Sequence, residues 1–234
     1  FYAYALHIAD SFDRLETSMR NWDELGALRV GATMTIGHFV LPRVLLSFRQ
    51  LHPRIRTKAS ISNGASLQQA LLNNELDFAA MEGEVTDPLL HAERFAQDRL
   101  IPVLPPESAL RNSSTALAAL VGNPLLLRES GSAVRTALDR IFAAHGISAE
   151  PAMESISTQA ILQAVHLGLG ISFLPEQLAA SSVKSGFVAT CSVTDESFRR
   201  DNFLVWHKHK YLTRSATEMM NLFREAVAKS ETRE

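Results

Sequence analysis

Four hydroxyl residues stand where a strand-like segment gives way to a helix-like one: Thr35, Ser66, Ser132 and Thr158. The first turn of a helix presents backbone N–H groups without intrahelical acceptors and carries about half a positive charge, and a neighbouring hydroxyl adds a donor. Such ends suit a carboxylate, sulfate or phosphate group. Arg128, just ahead of Glu129-Ser130-Gly131-Ser132, supplies a cation. Glu82 works against it: an acidic side chain at the rim of the site repels an anion unless Arg128 or another cation pairs with it. The ordinary alternative is that each hydroxyl only caps its helix. Four of them, on one side of two facing sheets, argue for a shared ligand, a carboxylate or an oxyanion.

Other chemistries have less to stand on. The chain has no Gly-x-Ser-x-Gly elbow and no Gly-x-x-x-x-Gly-Lys phosphate loop. His207-Lys208-His209 lacks an obvious third metal ligand, and Cys191, in a strand-like stretch, is expected to pack rather than react. No catalytic residue, metal or cofactor is expected, and the chain does not read as an enzyme.

The elements that must position these groups follow from hydrophobic spacing. Residues 28–33 form a short apolar strand. A helix follows with Leu41, Val44, Leu45 and Phe48 on one face, ending near His52-Pro53. Residues 55–62 alternate as a strand, Asn63-Gly64 turns, and Ser66 is expected to cap a helix through Asn73. Residues 76–81, 90–96 and 100–104 read as three further strands. After Pro105-Pro106 a second series begins, with a strand at 125–128 and a helix opened by Ser130-Gly131-Ser132 and closed by Gly146. A strand at 153–156, a helix from Ser157-Thr158 to His166, strands at 171–174 and 203–207, and a terminal helix complete it. Strands alternating with helices imply a parallel sheet flanked by helices, in two half-size units with a binding crevice between them.

Residues 1–27 read differently. Phe1, Ala5, Ile8, Phe12, Leu15, Met19 and Trp22 follow at spacings of four and three, the seam of a coiled coil, with charged residues between them. Gly26 ends this helix two residues before the first strand, leaving little chain for folding back, so Ile8, Phe12, Leu15, Met19 and Trp22 are expected to meet another subunit. On the first helix of the α/β region, Phe39 and Leu46 lie opposite the core face, where a helix covering one sheet should be polar.

Composition bounds the class. At 234 residues and 46% hydrophobic content there is material for one large or two small domains. Lys plus Arg number 23 against 25 for Asp plus Glu, with no basic cluster, which argues against nucleic-acid binding by this piece alone. No apolar run approaches the ~18 to 20 residues that span a bilayer. The start lacks the pattern of a secretory signal, and one cysteine fits a reducing cytoplasm. Beginning without Met, the chain reads as a fragment cut at Phe1.

Several blocks resemble the LysR-type transcriptional regulators. Leu28-Arg29-Val30-Gly31-Ala32 with Thr35-Ile36-Gly37 and Leu41-Pro42 resembles the start of their effector-binding domain, and Asn74-Glu75-Leu76-Asp77-Phe78-Ala79 is similar to a "GELDLAI" stretch. Arg128-Glu129-Ser130-Gly131-Ser132 with Arg135 looks like "REPGSGTR", and Gly168-Leu169-Gly170-Ile171 with Leu174-Pro175 looks like "GLGIxxLP". Their order and spacing cover essentially the whole chain. Val134 departs from the pattern, standing where the family has a threonine.

The resemblance implies a linker/dimerisation helix over 1–27 and an effector-binding domain over 28–234. That domain has the α/β type 2 periplasmic-binding-protein architecture of two Rossmann-like subdomains, I at 28–104 and 195–234, II at 105–194. It implies a small-molecule effector in the cleft, touched by Thr35, Ser66 and the loop around Ser132, with Phe39 and Leu46 in an interface between effector domains. A homodimer or homotetramer, promoter DNA bound only through a winged helix-turn-helix absent here, and RNA polymerase are the implied partners; no membrane is. A transporter's solute-binding protein and an enzyme share this fold. The first would need a signal peptide or lipid-anchored cysteine, the second a reactive group in the cleft.

Overall fold

The computed structural model describes residues 27–231. The linker helix expected over 1–27, with its seam of Ile8, Phe12, Leu15, Met19 and Trp22, lies outside them, except that Ala27 already belongs to the first strand. The first series is β1 (Ala27–Ala32), α1 (Met34–Phe39), α2 (Leu41–Leu51), β2 (Arg56–Ile61), α3 (Gly64–Leu72), β3 (Phe78–Glu82) and β4 (Leu90–Val103). There follow β5 (Ser114–Thr115), α4 (Leu117–Val121), β6 (Leu125–Arg128), α5 (Ala133–Ala144), β7 (Pro151–Ser155), α6 (Thr158–His166), β8 (Ser172–Pro175) and α7 (Glu176–Lys184). The chain then returns through β9 (Ser192–Val193) and β10 (Arg199–His207) to α8 (Arg214–Glu231).

The main sheet runs β2-β1-β3-β10-β4-β8. It is mixed, not parallel as the strand–helix alternation suggested. β1 pairs β2 and β3 in parallel, but β10 is antiparallel to both β3 and β4, and β4 is antiparallel to β8. The reversal belongs to the two strands that carry the chain between its halves. Those strands also correct the reading of 90–96 and 100–104 as separate elements. β4 is a single 14-residue strand. Its polar middle, Gln97-Asp98-Arg99, breaks the apolar pattern but is paired across to Asp201, Arg200 and Arg199 of β10.

Packing falls into two sets on either side of this crossover. In the first half, Val30, Phe48, Phe78, Leu204, Met219 and Phe223 join β1, β3 and β10 to α2 and α8 on one face of the sheet. Leu67, Leu71, Ala79, Met81 and Val205 seat α3 on the other. β3, covered on both faces, is buried along its whole length, as expected of a central strand between helix layers. In the second half, Leu127, Leu138, Phe142 and Phe173 form one cluster, and Leu126, Ile161, Leu174 and Ala179 another. Among the described residues no helix is long and apolar enough to cross a membrane.

The turn at Gly168-Leu169-Gly170 fixes the second half. Gly168 has φ +80°, and a Cβ on Gly170 would land on the carbonyl oxygen of Pro124. That oxygen accepts the Ile171 N–H at 2.9 Å, and Ile171 in turn bridges to β6. Only a residue without a side chain allows the backbones to close so tightly.

Candidate functional site

The strand ends place the starts of α1, α3 and α5 around one crevice, but not all with the caps expected. α1 begins from Thr33, and Thr35 lies one residue inside it, buried. Thr33 Oγ1 accepts the Glu82 N–H at 3.1 Å, which ties the start of α1 to the end of β3. α3 is capped by Asn63, whose Oδ1 accepts the Ser66 N–H at 2.9 Å; Ser66 itself is exposed on the helix surface. The amide won the capping role because it precedes the helix with extended backbone, whereas Ser66 is already in its first turn.

α5 begins from Ser132 as expected. Ser132 is buried, and its hydroxyl makes no capping hydrogen bond. Gly131 before it has φ +82°, the turn that brings the Ser132 end of α5 towards the crevice. α6 is capped by Ser157, which accepts the Ala160 N–H at 3.2 Å, and Thr158 Oγ1 instead receives Nη1 of Arg128 at 3.4 Å.

Two adjoining cavities open between the halves. The smaller, of about 220 Å³, is lined from one side by Thr35, Asn63 and Glu82 and from the other by Arg128, Ser132 and Val134. The larger, of about 460 Å³, includes Gln68, Gln97 and Thr136 in its wall. Gly64, Glu82, Ala133 and Arg200 line both. Thr35, Ser132 and Arg128 are therefore brought together, whereas Ser66 and Thr158 are in neither wall. At the mouth of the larger cavity, Arg140 of α5 forms an ion pair with Glu84, which follows β3, so one charge pair spans the two halves.

The charges differ from expectation as well. Glu82 is not at the rim. It is 4% exposed, and its Oε1 accepts the Ile36 N–H at 2.9 Å, so its charge is matched by the backbone of α1. Nor does Arg128 pair with it. Nε and Nη2 of Arg128 engage Glu129 at 2.8 and 3.1 Å. Arg200, which sequence reasoning missed, is buried on β10 and pairs with Asp98 through Nε at 2.9 Å and through Nη2. A signal existed: alternation places Arg200, Asn202 and Leu204 on one buried face. Starting the strand at 203 cut that pattern off.

The remaining reactive groups lie elsewhere. Cys191 packs in the second half's core, and burial pushes its thiol pKa up. His207 and His209 line a separate cavity of about 930 Å³ at the other end of β1 and β10, with Asp77 and Lys210. Among the described residues no group of His, Cys, Asp and Glu side chains could hold a metal ion. Phe39 and Leu46 do not share a helix as expected, because the first helix ends at Val40: Phe39 closes α1, half-buried, and Leu46 is 50% exposed on α2.

Comparison with known proteins now bears on this arrangement. The family model described as "LysR substrate binding domain" matches residues 23–228. An "Uncharacterized HTH-type transcriptional regulator YeiE" of Escherichia coli (strain K12) is 28% identical over 220 residues, covering 94% of this chain and 74% of that protein. The "HTH-type transcriptional activator CmpR" of a Synechocystis strain is 30% identical over 210 residues, covering 88% of this chain and 69% of that protein. Among solved structures, the effector binding domain of QuiR in complex with shikimate superposes with a TM-score of 0.77 at 19% identity, covering 87% of this chain and 98% of that one. The Synechocystis PCC6803 CcmR regulatory domain in complex with 2-PG gives 0.76 at 22% identity, covering 86% and 97%. The fold is thus the two-lobed, periplasmic-binding-protein-like one.

Proposed function

The chain belongs to the LysR substrate-binding-domain family as the effector-binding domain of a LysR-type regulator, and from that premise we propose that its cleft senses a small anionic metabolite. The observation that carries this is the smaller cavity, where Ser132, a buried residue whose hydroxyl makes no capping bond, and Thr35 line the wall from opposite halves. A carboxylate, sulfate-like or phosphoryl group placed there meets donors from both halves at once. Only a ligand held by both halves can couple to their relative orientation, and its differential affinity for one orientation is the energy available for signalling. Two similar structures carry shikimate and 2-PG, which sets the size of ligand to try first.

In this reading subdomain I spans 28–104 and 195–234, and subdomain II spans 105–194. Thr35 and Ser132 touch the effector, with Arg128 in the wall. Ser66 contributes its backbone N–H to Asn63, and Thr158 anchors Arg128. The protein works in the cytoplasm as a homodimer or homotetramer, joined through the linker-helix seam and through a surface formed by Phe39 at the end of α1 and Leu46 on α2. It reaches promoter DNA through a helix-turn-helix outside these 234 residues, and acts on RNA polymerase from there rather than by catalysis.

The test is a melting series with shikimate, 2-PG, sulfate, sulfite and sugar phosphates. A ligand at a hundredfold excess over its Kd stabilises the folded state by about 2.7 kcal/mol, a readable shift. At least one anion should raise the melting temperature, and its effect should be lost in Thr35→Val and in Ser132→Ala. A neutral ligand that stabilises both variants as well as the unsubstituted chain would overturn the reading.

A further inference from the structure

We propose that Arg200 seats the effector's anionic oxygen, through its Nη1 nitrogen, on the floor shared by the two cavities. This rests on the cleft being an anion sensor, and it adds a second cation to the Arg128 of the wall. Arg128 already has a partner on each of its three nitrogens. Its Nε and Nη2 are taken by Glu129 and its Nη1 reaches Thr158.

Arg200 is differently placed. Nε and Nη2 are committed to the two oxygens of Asp98, one edge of the guanidinium against one carboxylate. Nη1 points away from that pair, is buried, and has no hydrogen-bond partner among the described residues. Arginine cannot shed its charge, so a buried guanidinium arm must find an acceptor. Buried polar groups are nearly always matched, and each exception calls for an explanation, a functional role or a bound water or ion among them. Arg200 is in the wall of both cavities, so the acceptor belongs at their junction.

The same walls define the ligand. Glu82 and Glu129 lie beside Arg128 and Arg200, so no broad positive field gathers anions. Recognition is by directed donors: Nη1 from the floor, the Ser132 hydroxyl from one half and Thr35 from the other. That geometry fits a small organic acid whose carboxylate or phosphoryl oxygen sits at the junction, with a polar body reaching toward Gln68, Gln97 and Thr136 of the larger cavity. The rival occupant of Nη1 is a water bridging to Asn202 Oδ1, which is also buried and without a partner among the described residues, on the same face of β10.

Position gives the contact a second meaning. Arg200 and Asp98 are register partners on β10 and β4, the strands that pass between the halves. A ligand bound to Nη1 is therefore tied to the connection about which the halves must move.

Calorimetric titration of the 234-residue chain with sulfate and with 2-phosphoglycolate tests this, using Asp98→Asn, the double variant Arg200→Gln/Asp98→Asn and Thr35→Val, each checked for native circular dichroism. Removing only the charge of Asp98 frees the Arg200 cation, so Asp98→Asn should bind at least one probe several-fold more tightly. The double variant keeps a neutral pair in place of the ion pair and should bind at least tenfold more weakly. Opposite movements of the two variants are what a merely structural role cannot give. Equal binding by the double variant, with loss in Thr35→Val, would overturn the role of Arg200 and leave the anion cleft standing. No binding of either probe to the unsubstituted chain at tens of millimolar would overturn both, and the water-bridged arrangement would then hold.

Discussion

The carboxylate of Glu82 accepts the backbone N–H of Ile36 at 2.9 Å from within the wall of the same cavity that Ser132 faces. An acid thus occupies a helix start that would otherwise be open to a ligand. Glu82→Gln keeps an acceptor for Ile36 while removing one negative charge, so anion affinity should rise several-fold with little loss of stability. Glu82→Ala leaves the buried N–H unmatched and should cost about 1–3 kcal/mol in urea unfolding. Unchanged anion binding in Glu82→Gln would show that the bound anion lies beyond reach of this carboxylate.

Asp77 supplies a pH test at the far end of β1. Burial by itself pushes its carboxyl up, but hydrogen bonds from Arg29 and Lys210 outweigh that and hold it below the ordinary value of 3.8. A group with a depressed folded-state pKa contributes stability that is full above its unfolded value and disappears as pH falls through the folded one. Asp77→Asn should therefore cost about 1.5–3 kcal/mol at pH 7, and the difference from the unsubstituted chain should shrink steadily below pH 4. Urea midpoints measured at both ends of that range decide it; a pH-independent difference would refute it.

Gly170→Ala should destabilise out of proportion to one methyl group. The added carbon overlaps the Pro124 carbonyl, which is backbone and cannot swing aside. A loss of about 1–3 kcal/mol or more is expected in thermal melts. Gly168→Ala should cost less, because its Cβ would meet nothing within 4 Å and only the φ of +80° resists it.

In a chain that starts at Ala27, and so lacks the linker seam, Leu46→Glu should lighten the species seen in sedimentation while leaving the domain's own unfolding within about 0.5 kcal/mol, since the side chain is half exposed and outside the core. An unchanged sedimentation profile would remove α2 from the interface.

Much of this was legible because it rests on local chemistry. The Leu41, Val44 and Phe48 face of α2 and the Ala216, Met219, Met220 and Phe223 face of α8 are buried where helical spacing puts them. Ser132 starts α5 because glycine precedes it and a periodic run follows. What was lost depended on partners distant in sequence. Glu82 looked like a rim acid because its acceptor role towards Ile36, 46 residues away, leaves no mark in its neighbours. The polar Gln97-Asp98-Arg99 run looked like a break in β4 because its partner strand lies about a hundred residues later. Arg200 fell outside the strand drawn from apolar spacing alone, since a buried charge mimics a loop until its counter-ion is known.

β4 and β10 join the halves as neighbouring, hydrogen-bonded strands. A swivel made of slack loops would let the lobes wander through many poses of similar energy. A paired ribbon, irregular only where the register shifts at Asn202–Phe203, instead twists as one unit with its strain shared along the nine residues of β10. Changing the residues of that ribbon away from the cleft should alter how stiffly the sensor responds without altering what it recognises, so the dose–response threshold can drift in evolution independently of ligand choice.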